Sequence, residues 1–163
     1  MRVAVLSDTH DNIWKLARLL EQLQGEADAL IFCGDFCAPF TLKQMAEGFA
    51  GPIHVVFGNN DGDQFLLSQV AGQYAHVTLH GPFAELDLGG RRIAVTHYPQ
   101  IGVGLWKSGQ YDLVCFGHSH EAQVLREGGA VAVNPGEVMG RFGRSTYGLY
   151  DTDTGEAEIR EVQ

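Results

Sequence analysis

The fold is decided by residues 2–35, RVAVLSDTHDNIWKLARLLEQLQGEADALIFCGD. Arg2–Leu6 is a nearly continuous apolar run, which is typical of a strand buried on both faces. Asn12 is a suitable N-cap, and apolar residues recur at helical spacing through Ile13–Leu23. Ala29–Cys33 then reads as a second buried strand. A strand, a helix and another buried strand in succession predict parallel strands joined by a helical crossover.

The same alternation continues to about residue 70, and a strand-rich half follows it. Short helices are predicted over 41–47 and 63–70, with a strand at His54–Phe57 between them. Two glycine pairs, Gly89–Gly90 and Gly128–Gly129, each separate two apolar runs and predict hairpins. The predicted strands of this half are Phe83–Leu88, Arg92–Thr96, Leu113–Phe116, Gln123–Arg126, Ala130–Val133, Tyr147–Tyr150 and Glu156–Glu161. We therefore expect an α/β protein with two packed sheets flanked by helices, formed by a single domain over residues 1–163.

Composition excludes several functional classes. The chain has 163 residues, with 11 Lys and Arg against 20 Asp and Glu, so the formal net charge is −9. Such a surface repels nucleic-acid backbone and anionic membranes, and we expect neither as a partner. No apolar run approaches the ~20 residues of a membrane span. Since no charged segment is followed by an apolar stretch and a cleavage site, we expect no signal peptide. The three cysteines form no paired framework, which favours reduced thiols in a cytoplasmic protein.

Metal-ligating side chains follow five separate predicted strands. They are Asp8, His10, Asp35, Asn59, His97, His118 and His120. Because the carboxyl ends of strands form the ligand crevice of α/β sheets, we expect these residues to share one edge. Two carboxylates, one amide and four imidazoles suit Mn, Fe, Co, Ni or Zn better than Ca or Mg. Seven ligands exceed what one ion needs, so two ions that share a carboxylate are expected.

Each of these residues has a structural interpretation when it is taken alone. A single Asp after a strand is usually a turn or cap residue, and a single His is more often structural than a ligand. The sequence at 59–62, NNDG, is by itself an ordinary turn. Cys33 and Cys37 are expected to be packing residues, and His54, His76 and His80 to be structural or exposed. It is the recurrence after five successive strands that favours a metal site.

The motifs occur in the order found in a known family. Asp8-x-His10, Gly34-Asp35, Gly58-Asn59-x-Asp61, His97 and Gly117-His118-x-His120 resemble the motifs of the calcineurin-like metallophosphoesterases. The resemblance runs from Arg2 to about Gly136 and is nearest to the compact, stand-alone phosphodiesterases of bacteria and archaea. It implies a four-layer αββα sandwich of two mixed sheets flanked by helices, with a dinuclear metal centre.

The resemblance also implies how the ligands divide. The first ion takes Asp8, His10, Asp35 and His120, and the second takes Asp35, Asn59, His97 and His118. Asp35 bridges the two, and Asp35, Asn59 and His97 are the expected catalytic residues. A hydroxide that bridges the ions would attack a phosphodiester in line, and the ions would stabilise the charge on the phosphate oxygens. Manganese is the expected metal, with nickel, iron, cobalt and zinc as alternatives.

Three positions depart from the family pattern. Many relatives have a His that protonates the leaving oxygen where this chain has Asn60. We therefore expect diesters with good leaving groups to be cleaved faster than alkyl esters. Tyr98 and Pro99 stand where relatives often have Gly, and Tyr98 is a candidate substrate contact. Glu137 stands where relatives often have Ser, after a turn at 134–136. The nearby Arg141 and Arg144 are interpreted as solvated surface.

The competing function is that of a scaffold. A subunit of the retromer complex resembles this fold but serves as an interaction protein with a degraded metal site. All seven ligand positions here keep metal-competent side chains, which favours an enzyme that acts on a small phosphodiester; a metal-binding protein without turnover is a third interpretation. We also expect a homo-oligomer, a dimer or larger, formed through exposed aromatic side chains such as Trp106 or Phe142.

Overall fold

Eleven strands and four helices make up the protein in a computed structural model that describes all 163 residues. The strands are β1 Arg2–Leu6, β2 Ala29–Phe32, β3 Ile53–Val55, β4 Val77–Leu79, β5 Phe83–Leu88, β6 Arg91–Thr96, β7 Leu113–Cys115, β8 Gln123–Glu127, β9 Ala130–Asn134, β10 Thr146–Asp151 and β11 Ala157–Glu161. The helices are α1 Ile13–Leu23, α2 Pro39–Gly48, α3 Gln64–Ala71 and α4 Pro99–Lys107.

The strands form two mixed sheets. The first has the order β11-β10-β1-β2-β3-β4. Its β1, β2 and β3 are parallel, as the alternation of strands and helices predicts, and β4 continues the parallel pairing at the edge. The second has the order β5-β6-β7-β9-β8, in which β6, β7 and β9 are parallel and the two outer strands are antiparallel. Both predicted glycine hairpins, β5–β6 and β8–β9, are present.

Three apolar clusters separate four layers. One lies between α1, α2, α3 and the first sheet, one between the two sheets, and one between the second sheet and α4. Strand β1 shows the alternation that this requires, because Val3 and Val5 belong to the cluster between the sheets whereas Ala4 and Leu6 face the helices. The expected αββα sandwich is therefore confirmed.

Two elements escaped the sequence analysis. Helix α4 has Pro99 in its first turn, where a missing N–H costs nothing, but its internal glycines hide the helical pattern. Gly102 is needed for packing, since a Cβ there would lie 2.5 Å from the ring of Phe116. Strand β4 has only three residues at the edge of its sheet, which is too short for a periodic pattern.

The expectation that Trp106 is an exposed contact surface is wrong. Trp106 is 9 % exposed and packs between α4 and the second sheet, because its indole N–H reaches the carbonyl oxygen of Ala130 at 3.2 Å. Phe142, the other residue named for such a surface, is 70 % exposed.

None of the four helices has the length and apolar character needed to cross a bilayer.

Candidate metal centre

The seven predicted ligands follow the carboxyl ends of β1, β2, β3, β6 and β7. Backbone hydrogen bonds hold the loops of this edge together. The N–H of Asp8 donates to the carbonyl of Gly34 at 3.1 Å, and the N–H of His10 donates to the carbonyl of Asp35 at 3.0 Å. In the other sheet, the N–H of Gly117 donates to the carbonyl of His97 at 3.0 Å. The loops are therefore fixed with respect to their neighbours in the same sheet.

Six of the seven side chains lie in two compact groups. These are Asp8, His10 and His120, and Asp35, His97 and His118. Within each group, the ring nitrogens and carboxylate oxygens lie within 4.8 Å of one another.

The remaining predicted ligand belongs to the second group, and one carboxylate lies between the two groups. Asn59 joins the second group, with its Oδ1 3.1 Å from Nε2 of His97. Asp35 lies between the two, because its Oδ2 is 3.4 Å from Nε2 of His97 and 3.6 Å from Nε2 of His10.

The backbone at this edge is strained. The φ angles of Asp8, His10, Asp35, His118 and His120 lie between +43° and +69°. This left-handed region is uncommon for residues other than glycine and costs of the order of 1–3 kcal/mol each. Strain that recurs at five of the seven predicted positions is typical of functional sites.

Hydrogen bonds fix which nitrogen of two imidazoles carries the proton. Nδ1 of His97 lies 2.7 Å from the carbonyl oxygen of Cys33, and Nδ1 of His120 lies 2.8 Å from Oε2 of Glu137. Both partners only accept hydrogen bonds, so each Nδ1 donates and each neutral ring presents a lone pair at Nε2. These lone pairs face the oxygens of Asp35 at 3.4 Å and Asp8 at 3.2 Å.

Acceptors that face acceptors require a cation between them. Oδ1 of Asp8 and Nε2 of His10 are buried without any hydrogen-bond partner and lie 3.5 Å apart. Buried polar atoms are rarely left in that state, and an ion or an ordered water usually completes them. The donor set is made of oxygen and imidazole nitrogen, which suits divalent transition metals. The residues present therefore fit a metal centre.

Two glycines allow the loops to approach the carboxylates. A Cβ at Gly58 would lie 2.2 Å from Oδ1 of Asp35, and a Cβ at Gly117 would lie 1.9 Å from Oγ of Ser7. That hydroxyl donates to Oδ2 of Asp8 at 2.6 Å, so the Asp8 carboxylate is held by one oxygen while the other faces the histidines. A side chain at either glycine would displace a ligand.

The electrostatics of the edge favour positive charge. Burial raises the pKa of Asp35, but the neighbouring His97 ring and the hydrogen bonds from the backbone and amide of Asn60 outweigh it and hold that pKa below its usual range. Burial lowers the pKa of His97, but the Asp35 carboxylate more than offsets this and leaves it raised. Contact with Asp8 likewise raises the pKa of His10. A carboxylate that stays ionised favours a bound cation.

Asn60 and Asp61 have structural duties that the sequence did not reveal. Asn60 donates its backbone N–H to Oδ1 of Asp35 and its amide Nδ2 to Oδ2, both at 2.8 Å. Asp61 accepts from the N–H groups of Asp35, Cys37 and Gly58 at 2.6 to 2.9 Å. Asp61 therefore ties the loop after β2 to the loop after β3.

Glu137 is the residue of the site that sequence reasoning missed. Its carboxylate is buried, with the residue 1 % exposed. Besides the contact with His120, its Oε1 accepts from the N–H groups of Phe142 at 2.5 Å and Gly143 at 3.0 Å. The only signal in the sequence was an acidic residue next to a buried strand, at a position where relatives often have Ser.

The largest cavity of the protein, about 940 Å³, lies away from this edge. Its lining includes Arg91 and Arg92 at the start of β6, whereas His97 follows the end of the same strand.

Residues 1–155 match the family model described as the calcineurin-like phosphoesterase superfamily domain. The chain belongs to this superfamily. The phosphoesterase domain accounts for all but the last eight residues, and the expected family is confirmed.

Curated relatives of this phosphoesterase are of similar length. "Phosphodiesterase MJ0936" of Methanocaldococcus jannaschii is 30 % identical over 166 residues, which covers 99 % of this chain and 98 % of the relative. "Phosphodiesterase YfcE" of Escherichia coli strain K12 is 27 % identical over 171 residues, which covers 94 % and 89 %.

Solved structures show the same architecture. An archaeal phosphodiesterase superposes on this phosphoesterase with a TM-score of 0.90 at 27 % identity, covering 99 % of both chains. Vps29 of Entamoeba histolytica, in a complex with Zn²⁺, superposes with a TM-score of 0.71 at 18 % identity over the full length of both chains. The second likeness concerns the fold alone.

Proposed function

We propose that the protein is a metal-dependent phosphodiesterase with a dinuclear centre. The observation that carries this proposal is the convergence of acceptor atoms at one edge, where Nε2 of His97 and Nε2 of His120 point lone pairs at the carboxylates of Asp35 and Asp8. The family and the names of the two relatives support the phosphodiester substrate class. The residues over 1–163 act as one domain in this proposal, because the three apolar clusters join all four layers.

The seven side chains divide into two sets that share Asp35. Asp8, His10, Asp35 and His120 would hold the first ion, and Asp35, Asn59, His97 and His118 the second. The position of Asp35 between the two groups supports its role as the shared ligand. When bound, two divalent ions would supply the Lewis acidity that activates a water for in-line attack on phosphorus and neutralises charge on the phosphate oxygens.

The chain's own residues hold this machinery in place. Asn60 fixes both oxygens of Asp35, Cys33 and Glu137 orient the histidines, and Asp61 anchors the loop that carries Asp35. Neither Asn60 nor its neighbour Asp61 offers a proton to a leaving group, since the first is an amide and the second accepts three backbone N–H groups. We propose that protonation of the leaving oxygen contributes little.

Charge favours a small anionic substrate. At the ions themselves, four positive charges would face the two negative charges of the ligands Asp8 and Asp35, while the whole chain carries −9. A small phosphodiester is attracted locally, whereas a long nucleic acid meets a repulsive surface. We propose manganese as the metal, with nickel, iron, cobalt or zinc as alternatives for this donor set. The free thiols of Cys33, Cys37 and Cys115 support a cytoplasmic location.

Metal analysis combined with hydrolysis of bis(4-nitrophenyl) phosphate tests the proposal. The purified protein should hold two ions per chain and cleave this diester when loaded with manganese. Asp35→Asn should lose at least about a hundredfold in rate and His97→Ala should lose activity with it. Asp63→Asn is the matched control, because Asp63 caps α3 with its side chain and Asn caps equally well.

The result that would overturn the proposal is a wild-type protein without turnover under any of the five metals. Two bound ions without cleavage would instead assign the protein to metal-binding scaffolds of this fold. The retention of all seven ligand positions argues for catalysis.

A further inference from the structure

Phe142 is a large apolar side chain that the fold leaves outside its core. It is 70 % exposed and lies in the loop between β9 and β10. Its ring meets the ring of His120 edge to face, with the centroids 5.2 Å apart. The ring therefore presents most of its apolar surface to solvent directly beside a proposed metal ligand. An exposed apolar side chain in this position is suited to contact a bound molecule.

A single buried carboxylate fixes the position of this ring. Glu137 accepts from the N–H groups of Phe142 and Gly143 through one oxygen and from His120 through the other. The backbone that carries Phe142 is thus fixed to the same group that orients the ligand. A surface held in advance binds a partner with little loss of conformational freedom.

Arg141 adds a cation to the same surface. Its guanidinium lies over the ring of Phe142, 5.2 Å from the centroid. Arg144 in the same loop is paired with Glu161, whereas Arg141 forms no ion pair. Of the two arginines interpreted as solvated surface, Arg141 is the one that lies next to the centre and is free to attract an anion.

The other group of ligands is also bordered by an aromatic ring. Tyr98 lies edge to face with His97 at 5.2 Å and is tilted against His118 at 5.4 Å. Both groups of ligands therefore have an aromatic neighbour.

We propose that Phe142, backed by Arg141, is a specificity-determining surface that selects phosphate esters carrying a planar aromatic group. The inference rests on the proposed function, since a phosphate at the metal ligands is what brings its ester group to Phe142. Planar groups of any kind stack on an aromatic side chain, so an aryl ring and a nucleobase share this chemistry. The ester group, not the phosphate, is what this surface recognises.

Calorimetric binding to the manganese-loaded protein tests the inference. The ligands are methyl phosphate, phenyl phosphate and adenosine 5′-monophosphate, which share the phosphate and differ in the ester group. The wild type should bind the aromatic esters more tightly than methyl phosphate, and Phe142→Ala should reduce that preference by about 5- to 150-fold. Phe142→Tyr should restore it. If Phe142→Ala loses the preference for only one of the two aromatic esters, this also supports the inference and shows whether the surface recognises an aryl ring or a nucleobase.

Phe65→Ala is the matched control, because Phe65 is 74 % exposed but, unlike Phe142, its ring meets none of the ligand histidines; it should keep the full preference. The inference is overturned if the wild type binds methyl and aromatic esters with equal affinity, or if Phe142→Ala keeps the full preference. Neither result contradicts the proposed phosphodiesterase activity. If no ester binds and no diester is cleaved, the proposed function itself fails. Dissociation of an oligomer by Phe142→Ala with an unchanged preference, measured by sedimentation, assigns the ring to a subunit contact and also overturns the inference.

Discussion

The carboxylate of Glu137 and the imidazole of His120 are joined by a hydrogen bond of 2.8 Å between Oε2 and Nδ1. Because a carboxylate only accepts, the proton lies on Nδ1 and the lone pair of Nε2 faces Oδ1 of Asp8 at 3.2 Å. A residue outside the ligand set thereby decides what His120 offers to a cation.

Glu137→Gln should weaken metal binding by about 10- to 100-fold. Glu137 accepts from three N–H groups, and an amide must turn its NH₂ toward at least one of them. Competition with a metal-sensitive chelator measures the affinity. Glu121→Gln removes the same charge from an exposed side chain beside His120 and should bind metal as the wild type does. Equal losses in the two variants would show that charge alone, and not the hydrogen bond, matters.

Gly58→Ala should disrupt the centre although it replaces none of the ligands. Its new Cβ would lie 2.2 Å from Oδ1 and 2.7 Å from the backbone nitrogen of Asp35, so the loop must move. We expect metal content to fall below two ions per chain and the free energy of unfolding to drop by about 1–3 kcal/mol, as metal analysis and urea titration measure.

Gly62→Ala is the control for this variant. Gly62 belongs to the same loop, but a Cβ there has no atom within 4 Å. Its stability should stay within about 0.5 kcal/mol of the wild type, and its metal content should not change. Two ions in Gly58→Ala would contradict the close approach of the loops.

The sequence predicts site residues that follow a local pattern, but not contacts between residues far apart in the chain. Asp8 and Asp35 were found because each follows an apolar run, and the carboxyl ends of parallel strands meet at one edge. The contact of Glu137 with His120 is not predictable from the sequence, because it joins residues 17 positions apart, in loops whose course depends on the whole sandwich. The proton on His97 is fixed by the backbone carbonyl of Cys33, and a carbonyl has no signature in a sequence.

The amide of Asn60 predicts a strong dependence on the leaving group. Its Nδ2 is committed to Oδ2 of Asp35, and an amide has no acidic proton to give. Without a general acid, which contributes about 10²- to 10⁴-fold, alkyl diesters should react far more slowly than aryl diesters. A Brønsted plot over aryl diesters with leaving-group pKa values from about 4 to 10 should show a steep negative slope. A slope near zero would mean that another residue protonates the leaving oxygen.

A second pair of histidines lies outside the metal centre. Nδ1 of His54, in β3, is 3.0 Å from Nε2 of His80, and both side chains are half-buried. One ring nitrogen must donate and the other accept, so the contact requires at least one neutral ring. Burial lowers the pKa of His54 and the neighbouring His80 lowers it further, while burial lowers the pKa of His80.

This pair should make the metal-free protein less stable in acid. Because both pKa values are lower in the folded state, the unfolded chain takes up protons first at these two sites once the pH falls below about 6.5, and their contribution to the free energy of unfolding decreases from there downward. The raised pKa values of His10 and His97 act in the opposite direction, so the contribution of the pair is read from the difference between the wild type and a variant that lacks it. Urea titrations of protein stripped with a chelator, at pH 8, 7, 6 and 5, measure this decrease. The double variant His54→Gln/His80→Gln should be less stable than the wild type at pH 8 but should lose less on acidification, so the two curves converge. Parallel curves would contradict the prediction, since the lost stability would then come from other groups.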